Sequence, residues 1–110
     1  MPRGTLIPAK LARGLDPTWP GAAEGVVTED VVSGGVLVVP RGSAIACSSR
    51  ASQDGRIPVS CDGIKTADRA FSFSGLAVGE GQRIGLRLID GGVPAGTPFV
   101  VYVNAAAPVQ

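Results

Sequence analysis

The chain has 110 residues, of which 45% are hydrophobic but only 5% aromatic, and 10 Lys and Arg nearly balance 9 Asp and Glu for a net charge of +1. Sixteen Gly and nine Pro disfavour a helical fold, and the even charge disfavours a nucleic-acid-binding domain, an acidic tail or a disordered chain. The absence of His removes Ser–His and Cys–His nucleophile pairs and the commonest metal ligand, and two Cys do not fill a four-ligand zinc site.

Short extended segments separated by turn signals dominate the pattern, about eight in all, as in an all-β sandwich or barrel. In chain order they are Gly4–Leu15, Glu24–Val32, Gly35–Val39, Ser43–Ala51, Ile57–Ile64, Ala70–Gly75, Arg83–Ile89 and Pro98–Asn104. The expected fold is a small closed or partly open β-barrel in a single domain spanning residues 1–110. At most one short helix is expected, near Lys65–Arg69. In Glu24–Val32, Val27 and Val31 alternate with polar neighbours, as in a half-buried strand. Phe99–Val103 is an unbroken β-branched and aromatic run, which suits a strand buried on both faces. Ser33-Gly34-Gly35, Asp54-Gly55 and Asp90-Gly91-Gly92 carry hairpin-turn chemistry. No run approaches the ~18 apolar residues of a membrane helix. Met1-Pro2-Arg3-Gly4 lacks the apolar core of a signal peptide, so the segment is either a small cytosolic protein or, the favoured expectation, a domain excised from a longer chain.

The form Pro-x-Gly-[Ser/Thr] occurs at Pro2–Thr5, Pro40–Ser43 and Pro94–Thr97, each time ahead of a strand. Gly4, Gly42 and Gly96 would supply the positive φ of a type II turn, and the hydroxyl would bond back to the backbone. The three are either an internal repeat or independent uses of common turn residues.

Cys47 and Cys61 are equidistant from Asp54, so a hairpin centred there sets them face to face. A disulfide would contribute roughly 3 kcal/mol and imply an oxidising compartment. The alternative is two buried thiols. A register slip of one residue would end the pairing.

Asp16-Pro17-Thr18-Trp19-Pro20-Gly21 is too Pro-rich for regular structure and reads as a loop. Its Trp19 is either an interface anchor, with Asp16, Pro17 and Pro20 around it, or a lid over one end of the barrel. Asp54, Asp62, Glu80 and Asp90 stand beside Gly and read as turn residues. Glu29 and Asp30 would point to opposite strand faces, so they form no acid–base couple. Arg50, Arg56, Arg69, Arg83 and Arg87 read as solvated, or as the rim of an oligomer contact. Catalytic, cofactor-binding and metal-binding residues are therefore none.

The order of certain motifs resembles one known family. Gly4-Thr5-Leu6-Ile7-Pro8-Ala9, Leu15-Asp16, Trp19-Pro20-Gly21, Val27-Thr28-Glu29-Asp30-Val31 and Val39-Pro40-Arg41-Gly42-Ser43 are similar to the opening of the TrbI-like C-terminal domain. Looser matches follow at Asp62-Gly63-Ile64, Ala67–Phe71 and Pro94-Ala95-Gly96-Thr97-Pro98 through Asn104. That family supplies the tenth VirB component of type IV secretion and conjugation systems, the scaffold of the outer-membrane core complex. The resemblance implies a periplasmic barrel at the outer-membrane side that packs against copies of itself and other complex subunits. It implies a homo-oligomer, while the charge balance and the residue types argue against nucleic acid and a cofactor. The family's two-helix antenna has no counterpart in Gly79–Gly92, so no membrane span is expected in this segment. The family usually has Gly where Cys47 stands, which makes the Cys pair this chain's own feature.

The expected function is thus a non-enzymatic assembly scaffold working through barrel edges and loops. One rival is a small periplasmic module that binds a peptide or other ligand. Another is an enzyme relying on Asp and Ser alone.

Overall fold

The computed structural model describes residues 3–105, without the side chains of Glu80 and Ala105. Among these residues the protein is all-β. The barrel wall is built from β1 (Leu6–Leu11), β2 (Gly21–Val27), β5 (Ala44–Ser49), β7 (Val59–Lys65), β8 (Ala70–Val78) and β10 (Pro98–Ala105). These close in the order β1-β10-β8-β7-β5-β2, every neighbour antiparallel. Two small ribbons stand outside the wall. One pairs β3 (Val31–Ser33) with β4 (Val36–Val39), and the other pairs β6 (Arg56–Ile57) with β9 (Leu86–Arg87).

Several predicted segments divide where a local group breaks the ladder. Glu24–Val32 splits after Val27, because Asp30 turns its carboxylate to accept the Arg41 N–H at 2.7 Å. Glu29 and Asp30 therefore lie between strands rather than on one. Ile57–Ile64 splits at Pro58, which has no N–H to offer a ladder. Gly4–Leu15 shortens to β1, and Leu15 instead bridges Val93. The short helix expected at Lys65–Arg69 is a tight turn, held by the Thr66 hydroxyl accepting from the N–H groups of Asp68 and Arg69. A single-turn 3₁₀ helix occurs instead at Glu80–Gln82. Among the described residues no helix is long and apolar enough to cross a membrane.

The predicted hairpin turns form. Gly34-Gly35, Asp54-Gly55 and Asp90-Gly91 each place two consecutive residues at positive φ, the combination of a type I′ turn that matches strand twist. From Arg3 onward in the first copy, the Pro-x-Gly-[Ser/Thr] segments are also structurally equivalent. Gly4, Gly42 and Gly96 have φ of 89°, 89° and 82°. Each donates its N–H to a strand carbonyl at 2.8 Å, from Val103, Val27 and Leu11 respectively. Each of those residues returns its own N–H to the carbonyl of Thr5, Ser43 or Thr97. In the second and third copies the hydroxyl donates back to the proline carbonyl, at 2.7 Å from Ser43 and 2.6 Å from Thr97. The repeat is thus a device that starts a strand by clamping it to the end of its neighbour.

Alternation along the strands fills the barrel. Ile7, Ala9 and Leu11 of β1, Phe99, Val101 and Val103 of β10, and Ile45 of β5 are buried. One inward row runs Ala23, Cys47, Cys61, Gly75, Val103 through successive strand pairs. A bulge makes that row compatible with the next. Ala46 pairs with Gly63 but Cys47 with Cys61, so Asp62 is left over. Without the extra residue, Cys61 and Ile64 would face opposite sides of the sheet; with it, both are buried. Asp62 is accordingly an exposed strand residue, not the turn residue its Gly neighbour suggests.

Candidate functional site

The cysteines are where the hairpin argument puts them. Cys47 and Cys61 are register partners, with Cα atoms 3.9 Å apart, and form a disulfide inside the barrel. Its place is structural: it ties β5 to β7 within the core and is shielded from solvent.

The expected loop is more exposed than a lid would be. Asp16 Oδ1 accepts the Thr18 N–H at 2.8 Å and the Thr18 hydroxyl at 2.6 Å, and the Trp19 N–H donates to the Asp16 carbonyl. The Thr18 hydroxyl, followed by its N–H, holds the Asp16 carboxyl below its usual pKa. Trp19 is 80% exposed, so its indole covers no part of the core. Pro17 is half-buried and Pro20 exposed. Strand directions place this loop at the end of the barrel that also carries the Asp54 and Asp90 turns.

The larger candidate surface lies on the outside of the wall, and the sequence reading missed it. β10 is not buried on both faces. Phe99, Val101 and Val103 point in, while Tyr102 is exposed and Val100 half-buried. Register carries this outward row across three strands, Leu6 to Tyr102 to Leu76, and a second row runs Pro8 to Val100 to Val78. Beyond Leu76 the first row becomes Ser60 and then Ser48. The outer face is therefore apolar along these rows on β1, β10 and β8, and the first row turns to serine on β7 and β5.

The β3–β4 ribbon stands beside this side across a cleft of about 450 Å³. Thr5, Leu6 and Pro8 line it on one side and Glu29, Asp30, Val31, Val32 and Ser33 on the other, so its lining mixes apolar groups with two carboxylates. Leu6, Val32, Val36 and Leu37 are 58%, 60%, 64% and 49% exposed. Burying one such side chain contributes about 1.5–3 kcal/mol before the costs of association. Isolated exposed hydrophobics are ordinary, but several on neighbouring strands of a small barrel mark a candidate contact surface. The visible signal was the unbroken Phe99–Val103 run, whose outward members have no internal partner.

Among the described residues no group of three or more His, Cys, Asp or Glu side chains is arranged to hold a metal ion. The closed wall has no free edge, so strand addition is confined to the two ribbons, and other contacts use the outer face or the end loops. No protein-family model matches the chain, and no curated protein matches it.

Proposed function

We propose that the chain is a structural assembly domain of the TrbI-like kind, a scaffold without enzymatic activity in a type IV secretion or conjugation-type envelope complex. The carrying observation is the apolar outer row Leu6, Tyr102 and Leu76 beside the exposed hydrophobics of the β3–β4 ribbon. That surface stays in contact with water in a lone barrel and would be covered by a neighbouring copy or another subunit of the complex. The ordered motifs from Gly4 to Ser43 support the family. The internal disulfide supports an oxidising compartment such as the periplasm.

Sedimentation velocity over a wide concentration range tests this reading. The wild-type chain is expected to associate, while Leu6→Glu and Leu37→Glu stay monomeric with an unchanged melting temperature. A chain that stays monomeric at every concentration, or variants that associate like wild type, would overturn it.

A further inference from the structure

At the end of the barrel opposite the β3–β4 ribbon, the Asp54 turn and the segment after β8 enclose a cleft of about 870 Å³. Three arginines line it: Arg56, Arg83 and Arg87. Arg56 is the fixed one. Its Nε donates to the Ile84 carbonyl at 3.1 Å, and its Nη2 to the carbonyls of Arg83 at 3.2 Å and Gly85 at 2.8 Å. This spans the two sides of the cleft and holds the Arg83–Gly85 backbone against β6. Arg87 is the register partner of Arg56 in the β6–β9 ribbon, so both side chains leave the same face. Among the described side chains, which do not include that of Glu80, the guanidinium groups of Arg83 and Arg87 have no hydrogen-bond or ion-pair partner. Asp54 is the one carboxylate among the described lining residues.

Apolar groups alternate with these cations. Ile84 follows Arg83 and is 62% exposed, Leu88 follows Arg87, and Pro58 is a further apolar lining residue. A lone anion would satisfy the guanidinium forks but leave the aliphatic positions idle. A nucleic acid or an anionic membrane would need a broad cationic field, which a chain of net charge +1 with Asp54 and Asp90 at the same end does not offer. A segment carrying both carboxylates and aliphatic side chains matches both kinds of position.

We infer that this cleft docks an extended acidic segment of a partner protein, with carboxylates on Arg83 and Arg87 and aliphatic side chains against Ile84, Leu88 and Pro58. The inference is independent of self-association, since a barrel that never meets its copies has the same cleft.

The test is an amide-resolved NMR titration of the whole chain with a short peptide alternating glutamate and valine, at low salt. Parallel arms use the lysine–valine peptide, inorganic phosphate, and vesicles containing phosphatidylglycerol. Shifts are expected at residues 53–58 and 81–88 with the acidic peptide alone, weakening as salt is added. The double variant Arg83→Ala/Arg87→Ala should lose about tenfold or more in affinity while its spectrum outside the cleft stays that of wild type. Removing two cations at the other end, Arg41→Ala/Lys65→Ala, should change affinity by less than about twofold, as expected for screened, distant charges. Absence of shifts at millimolar peptide, or equal affinity in the Arg83/Arg87 variant, overturns the inference. So does saturation by phosphate or by vesicles that the peptide does not displace.

Discussion

The ring of Phe99 lies across Gly25, so that a Cβ at Gly25 would stand 3.0 Å from the ring's Cζ. The glycine is the space in which the ring sits. The aromatic-poor core reaches closure in this way, by setting a few large side chains against positions with none.

Gly75 is the stricter case. A Cβ there would meet Phe73 and Val101 at 2.8 Å and the Tyr102 carbonyl at 3.0 Å. Backbone does not yield as a ring edge does. Gly75→Ala is expected to cost roughly 1–3 kcal/mol and Gly25→Ala less, since Phe99 can tilt. Urea unfolding of both variants measures the difference, and equal, negligible losses would contradict this packing of the inner row.

Reduction of Cys47–Cys61 opens a core staple. The double variant Cys47→Ala/Cys61→Ala should lose about 3 kcal/mol, with a fall in Tm on the order of 10 °C. A thermal scan with and without reductant reads this directly, and the double variant should no longer respond to reductant.

The three clamping turns should respond alike. Gly42→Ala and Gly96→Ala each force an L-residue into positive φ with open space around it. Each should cost about 1–2 kcal/mol through backbone conformation alone. Ser43→Ala should cost about 1 kcal/mol by removing the bond to the Pro40 carbonyl. Losses that fail to add in Gly42→Ala/Gly96→Ala would show that the turns are coupled rather than repeated.

Asp16 gives a pH signature. Its carboxyl is held below the usual value by the Thr18 hydroxyl and N–H. A depressed folded-state pKa means that its contribution is present above the unfolded value and is lost as pH falls through the folded one. Carboxyl ¹³C titration should show Asp16 ionising below the usual range, and Thr18→Val should raise it without restoring it fully, because the N–H donor remains. No rise in the variant would remove the hydroxyl as the main cause.

Trp19→Ala should leave stability within about 0.5 kcal/mol of wild type, because an indole this exposed holds nothing in place. The single Trp should also emit at the wavelength of a solvated indole. A blue-shifted emission in the monomer would place it under cover.

The amino-acid sequence by itself determined the all-β class and the three glycine-containing hairpin turns, and it set Cys47 opposite Cys61 provided the register held. Those features are local: Gly and Asp-Gly select turn conformations, and two residues equidistant from a turn meet when no residue slips between them. Tertiary structure alone decided that six strands close while four residue runs leave the wall as ribbons, because ladder partners distant in sequence set that. It also decided which apolar residues are left outside. Alternation names two faces of a strand, but only closure of the wall makes one of them the interior, and Leu6 and Tyr102 became surface residues at that step. The Arg56–Arg83–Arg87 cleft was hidden for the same reason, since segments far apart in the chain come together only when β6 leaves the wall to pair with β9.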